Sequence, residues 1–206
     1  MMNKDLGDIF VISAPSGTGK TTLAGRLLSD FPTLVFSVSY TTRPPRSNEI
    51  NGKDYFFISK GEFEKKIAQG EMIEWAEVYG NYYGTSATFL RQKIEEGKDI
   101  LLDIDIQGAK QVKQRFPESV LIFISPPSFK ELEYRLKKRG TDPPEIIAKR
   151  LQAAKLEMEA AKDFDHIVIN DDFKKAIREI KAIIVAYKTR VTKRWWQVKN
   201  ILRSFE

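Results

Sequence analysis

The residues best suited to chemistry lie in the run Ser13-Ala14-Pro15-Ser16-Gly17-Thr18-Gly19-Lys20-Thr21-Thr22, directly after the apolar stretch Ile9-Phe10-Val11-Ile12. A buried strand, a glycine-rich turn and a helix start, in that order, aim backbone N–H groups and the positive end of a helix dipole at one point. Such a nest holds an anion. The spacing follows G-x-x-x-x-G-K-[ST], in which the lysine reaches the β- and γ-phosphates of a nucleoside triphosphate and the next hydroxyl ligates Mg²⁺. Lys20 and Thr21 fill those places, and Ala14, Pro15, Ser16, Gly17, Thr18, Gly19 and Thr22 complete the expected triphosphate site. Ala14 stands where the pattern has its first glycine, so the backbone there must keep a negative φ.

A second set of polar residues lies further along. Arg43 and Arg46 sit three apart in a proline-stiffened loop, and arginine forks match phosphate oxygens bidentately. On the loop alone, a phosphate clamp and a pair of exposed arginines are equal readings. Glu49, Tyr55, Glu74, Tyr83, Thr85, Asp103 and Asp105 fall in loops or at strand ends. Asp103 and Asp105, at the end of one strand, are expected to point to opposite faces. Asp103 is expected toward the acceptor, and Asp105 where it orients Mg²⁺ through water, the alternative for either being a capping carboxylate. Arg135, Lys137, Lys138 and Arg139 form a basic run before a Gly/Pro-rich loop, with Arg150 beyond; by itself this reads as a solvated helix face. His166, the only histidine, has no metal-sharing partner and reads as structural.

These residues need elements to position them. Helices are expected over 20–29, from the capping box Ser59-Lys60-Gly61-Glu62 to Gly70, and over 86–96, 107–115, 129–138 and 144–162, with a last one from Asp172. Strands are expected over 9–12, 34–38, 55–58, 72–78, 82–85, 99–104, 120–125 and 166–170, with Gly80-Asn81 as a hairpin turn. Strands alternating with helices imply α/β architecture: a parallel sheet flanked by helices, with ligands at the carboxyl ends of the strands. Residues 39–90 read as a small mixed β-lobe inserted into that core.

The chain has 206 residues, 42% hydrophobic and 30% charged, the size and balance of one domain with small inserts. No apolar run reaches membrane-spanning length, and the first residues lack a secretory signal's apolar core. Zero cysteines exclude disulfides and thiolate catalysis and fit a cytoplasmic location. The net charge of +6 suits polyanionic ligands, but the basic residues cluster beside candidate phosphate sites, favouring small phosphates over nucleic acid. The basic stretch 187–206, with Trp195 and Trp196, is expected to pack on its own domain, with membrane or chain docking as the other reading.

Several segments together resemble the guanylate kinase family, a group of P-loop nucleoside monophosphate kinases: Ser39-Tyr40-Thr41-Thr42-Arg43-Pro44-Pro45-Arg46, Asn51-Gly52-Lys53-Asp54-Tyr55, Ile73-Glu74-Trp75, Gly80-Asn81-Tyr82-Tyr83-Gly84 and Leu102-Asp103-Ile104-Asp105-Ile106-Gln107-Gly108. The resemblance runs from the phosphate loop through Asn170-Asp171-Asp172 to about residue 187. It implies a P-loop NTPase core (about 1–38, 86–128 and 164–206), a GMP-binding lobe (about 39–85) and a helical lid (about 129–163). It implies transfer of the γ-phosphoryl of ATP to GMP, and to dGMP, with Mg²⁺. Arg43, Arg46, Tyr55 and Tyr83 would hold the GMP phosphate; Ser39, Glu74, Thr85 and Asp103 would line the guanine pocket, with Glu49 supporting the arginine loop. Arg135, Arg139 and Arg150 would close over the triphosphate, with Arg139 stacking on adenine and Asn170 beside it. Lys20, Arg43, Arg135, Arg139, Arg150 and Asp103 are the expected catalytic set.

The chemistry of guanine agrees. N1–H and N2–H₂ are adjacent donors that one carboxylate accepts together, and O6 accepts from a hydroxyl. Glu74 with Ser39 or Thr85 supplies that pattern, whereas AMP would leave the carboxylate without its donors. Two other readings keep parts of the pattern. A catalytically inactive guanylate-kinase-like binding module would lack an intact phosphate loop, and a kinase for a phosphorylated sugar would need no guanine reader. Monomer and homo-oligomer both remain open.

Overall fold

In the computed structural model, residues 6–140 and 143–205 are described, the Arg139 side chain excepted. Five parallel strands form the main sheet in the order β2-β7-β1-β8-β9, with ranges Leu34–Phe36, Asp99–Asp103, Ile9–Ser13, Val120–Ser125 and His166–Ile169. The central strands are apolar on both sides because helices cover both faces. Phe10, Ile12, Leu101 and Ile122 point to one face, against α1 (Lys20–Asp30) and α7 (Phe173–Lys188). Ile9, Val11, Ile100 and Leu102 point to the other, against α3 (Ala87–Glu95) and α4 (Ile106–Arg115). Phe10, Leu23, Leu27 and Ile122 have no exposed surface, and each such side chain contributes about 1.5–3 kcal/mol. Register fixes the site. Ile12 lies opposite Asp103 and Ser13 opposite Phe123, so the phosphate loop and the end of β7 emerge at one edge.

A second, mixed sheet has the order β4-β3-β6-β5, with β3 Tyr40–Thr41, β4 Phe56–Phe57, β5 Met72–Val78 and β6 Asn81–Ser86. The hairpin joining β5 and β6 turns one residue earlier than the sequence suggests. Tyr79 and Gly80 both have positive φ (51° and 78°), as a type I′ turn requires, and Asn81 already pairs with Val78. Helix α2 (Lys60–Ala68) opens with the expected reciprocal capping box between Ser59 and Glu62. The second expected box is half formed: Ser128 accepts from the Glu131 N–H, but the Glu131 carboxylate turns to Arg135.

Helices α5 (Phe129–Arg139) and α6 (Pro144–Glu159) pack together through Leu132, Leu136, Ile147 and Ala154. Residues 141–142, expected in the loop between them, lie outside the described residues. Helix α6 gives way to a 3₁₀ turn at Ala160–Asp163, three residues before the sequence-based end. The carboxyl-terminal helix α8 (Val191–Leu202) touches the body on one side only. Lys193 pairs with Asp8 and lies over the Tyr187 ring, while Val191, Trp195, Val198 and Leu202 stay exposed. The expectation that this stretch packs on its domain is met by that one side.

Candidate active site

At the phosphate-loop end of the cleft the main chain is shaped to present its N–H groups. Gly17 (φ 94°) and Gly19 (φ 95°) take left-handed conformations that wind the loop into a nest, and no side chain caps α1, so its first-turn N–H groups face outward. Ala14 keeps a negative φ, because Tyr79 is the only non-glycine with positive φ among the described residues. Thr18 is fully buried; its hydroxyl donates to the Pro15 carbonyl at 2.7 Å and so shapes the loop from inside. Asn170 Nδ2 donates to the Thr18 carbonyl at 2.7 Å, and Arg135 donates to the Asn170 carbonyl at 3.1 Å. Arg150 donates to Ser16 Oγ at 3.1 Å. Arg135 and Arg150, read from the sequence as a solvated helix face if taken alone, thus reach the phosphate loop. The side chain of Arg139 lies outside the described residues.

Lys20 crosses to the edge of β7, where its ammonium pairs with Asp103 at 2.6 Å and donates to the Ile104 carbonyl at 3.2 Å. Residues two apart on a strand share a face, so the expectation of opposite faces does not hold. Strand β7 ends at Asp103, and Asp103 and Asp105 line the same cleft. Asp105 is the N-cap of α4, accepting from the Gly108 N–H at 2.8 Å.

The acceptor end is made of side chains. Arg46, Tyr55 and Tyr83 line the cleft; Arg43 stands behind them. One guanidinium nitrogen, Nη2, donates to both oxygens of Glu49 (2.8 and 2.9 Å), Nη1 donates to the Pro44 carbonyl, and the group lies 5.5 Å from the Tyr55 ring centre. Burial disfavours the Glu49 carboxylate, but the bonds from Arg43 and the Arg46 N–H outweigh it, so Glu49 stays below the ordinary range. Burial, with Asp103 nearby, pushes the Tyr55 hydroxyl up to about 12, which keeps it a hydrogen-bond donor.

Glu74 is the most unusual group. Only 3% exposed, it accepts from the fully buried Thr85 hydroxyl at 2.5 Å. Burial raises its pKa to about 7, with Asp105 adding to the rise and Thr85 and Arg115 opposing it. Ser39 is also buried and lines the same cleft. A carboxylate this desolvated, with one oxygen engaged, offers its remaining acceptor capacity to a ligand's paired donors.

All of this borders one cleft of about 610 Å³, in which the phosphate loop and Glu74 are both walls. Of the residues expected from the sequence, Thr18, Arg43, Glu49, Thr85 and Asn170 support the walls rather than line them. Tyr79 and Glu157, also in the lining, were not singled out from the sequence. Glu157 sits within an ordinary helical stretch, and only the packing of α6 brings it toward Lys20 and Asp105. Its nearness to the phosphate loop had no sequence signal.

A phosphate loop on a parallel sheet, facing a buried carboxylate across one cleft, fits the class of P-loop nucleoside monophosphate kinases. Comparison with known proteins makes this specific. A family model for guanylate kinase matches residues 7–187. The guanylate kinase of Geobacter sulfurreducens is 49% identical, covering 91% of this chain and 92% of that one. That of Chromobacterium violaceum is 48% identical over 92% and 90%. The crystal structure of guanylate kinase from Anaplasma phagocytophilum superposes with a TM-score of 0.78 at 35% identity, covering 92% and 90%. The chain belongs to the guanylate kinase family, and its activity is that of an ATP:GMP phosphotransferase. Neither the binding-module nor the sugar-phosphate reading is favoured by these relatives.

Proposed function

We propose that the described cleft holds ATP at the phosphate loop and GMP at the second sheet, and that each residue acts according to its place. The loop amides and Lys20 bind the β- and γ-phosphates, Lys20 exchanging Asp103 for phosphate oxygens. Arg46, Tyr55 and Tyr83 hold the GMP phosphate, with Arg43 and Glu49 bracing that grip. Glu74 accepts guanine N1–H and N2–H, and Ser39 serves O6, because the Thr85 hydroxyl proton is already committed to Glu74. A phosphate oxygen of GMP attacks the γ-phosphorus, the bond to the β–γ bridging oxygen breaks, and ADP and GDP result. The nucleophile is already an anion, so positioning and charge stabilisation supply the rate without a general base. Arg135 and Arg150, already at the loop, oppose charge that grows on the equatorial oxygens.

The donor set suits Mg²⁺, a cation that takes one or two protein oxygens with phosphate and water. Thr21 lines the cleft at the start of α1, and Asp105 has an oxygen beyond the one that caps α4. Bound there, Mg²⁺ would neutralise phosphate charge. Residues 39–85 act as the GMP lobe and 129–163 as the lid. The enzyme works in the cytoplasm on small nucleotides, dGMP included, without nucleic acid or membrane.

The observation that carries this reading is the sharing of one cleft by the phosphate loop and the buried Glu74 carboxylate. An ADP-release assay with ATP across GMP, dGMP, AMP, CMP and UMP tests it. Turnover is expected with GMP and dGMP, and comparable turnover of AMP would overturn the guanine assignment.

A further inference from the structure

The carboxylate that reads the base sits on an edge strand, and an edge strand alone is a poor support for a precise side chain. Strand β5 pairs only with β6 in its sheet, and its register slips between Met72 and Glu74. Its free edge is taken up by side chains of the core helix α4. The Gln111 amide donates to the Trp75 carbonyl at 2.7 Å and accepts from the Trp75 N–H at 3.2 Å, as a neighbouring strand would. Arg115 donates to the carbonyls of Met72 and Ile73. Between these clamps and the Asp105 cap lies Gly108, which is buried, and a Cβ built there would overlap Glu74 Oε2.

We propose that Gly108, Gln111 and Arg115 form a positioning face on α4 that holds Glu74 in register and thereby sets purine specificity. Gly108 leaves the space in which the carboxylate lies, while Gln111 and Arg115 fix the strand on either side of it. The overlap at Gly108 is with the tip of a flexible side chain, so alanine is accommodated by displacing the reader and not the backbone. Alanine also suits a helix interior better than glycine, so the substitution leaves the fold standing. The inference rests on the assignment of Glu74 as the guanine reader.

The test is steady-state kinetics with GMP, IMP (which lacks the 2-amino group) and AMP on Gly108→Ala, Glu74→Gln and the double variant, with thermal melting alongside. Gly108→Ala is expected to melt no lower than the parent and to keep KM for ATP within about twofold, while kcat/KM for GMP falls about 30-fold and the preference over IMP shrinks. In the Glu74→Gln background the same change is expected to add less than about twofold, because the group it displaces is already disabled. Parental GMP kinetics in Gly108→Ala, or fully additive losses, would overturn the positioning role. A Glu74→Gln enzyme that still prefers GMP would instead overturn the assignment beneath it. If Gly108→Ala does not fold, Gln111→Ala carries the test, with KM for GMP expected to rise about tenfold at nearly constant kcat.

Discussion

The two ends of the cleft are built by opposite means. The donor end uses consecutive residues and main-chain N–H groups, with left-handed glycines setting the curve. The acceptor end uses side chains from the loop after β3, from β5 and β6, and from the end of β7, segments of two different sheets brought together by tertiary packing. The charge differs as well. The phosphate-loop end presents Lys20, Arg135 and Arg150, whereas the other end buries the Glu74 carboxylate at an energetic cost. A phosphate is alike in every nucleotide and can be met by backbone; a purine edge must be told from its rivals, which takes a side chain with a fixed set of acceptors.

The sharpest break in that contrast comes from Lys20→Ala. Turnover is expected to fall by about 10³-fold or more, roughly 4 kcal/mol of transition-state stabilisation, with circular dichroism unchanged. Glu74→Gln is expected to cost about 10²–10³ in kcat/KM for GMP while KM for ATP stays within about twofold. Gly17→Ala should do the converse, raising KM for ATP and sparing GMP affinity, because its left-handed φ and the Leu136 side chain leave no room for a Cβ; about 1–2 kcal/mol of stability is expected to go with it. The smallest effect belongs to Gly61→Ala in α2, where the added Cβ meets nothing. It should raise stability by about 0.5–1 kcal/mol, seen in urea melts, and leave both KM values alone.

Proton linkage separates the ends without mutation. With Glu74 in its proposed role, accepting guanine donors as the anion, kcat/KM for GMP should rise about tenfold per pH unit below about 7 and level off above it, a bend that Glu74→Gln removes. Stability runs the other way. The folded pKa of about 7 lies above the unfolded value of 4.5, so the folded protein holds this proton more tightly. The contribution is most favourable below the unfolded value and is lost as pH rises from there to about 7. For the ligand-free enzyme this amounts to about 3 kcal/mol as an upper figure, read as a higher Tm for Glu74→Gln than for the parent at about pH 8.

The architecture was largely legible in the chain because its cues are local. Apolar runs gave the five core strands, and Ser59 with Glu62 marked α2. Errors gathered where a local rule met a tertiary demand. The hairpin turned at Tyr79-Gly80 because the pairing of Val78 with Asn81 outranked the Gly-Asn signal. Asp105 lies outside the strand because β7 stops one residue short of the expected end and the carboxylate caps α4, while its shared face with Asp103 follows from their spacing of two. Glu157 could not be found, since nothing in an ordinary helical stretch announces what its face will meet.

The sequence by itself determined the phosphate loop, because a strand, two glycines, a lysine and a helix start within a dozen residues leave the backbone one way to run. It also determined that a carboxylate, a hydroxyl and paired arginines were available for a second nucleotide. Only the tertiary structure decided that Glu74 would be desolvated and bonded to Thr85, that Arg43 would brace while Arg46 reached, and that α4 would clamp the edge of β5. Backbone binding depends on dihedral angles that neighbouring residues fix. The strength and aim of a buried charge depend on everything packed around it, and those neighbours come from distant parts of the chain.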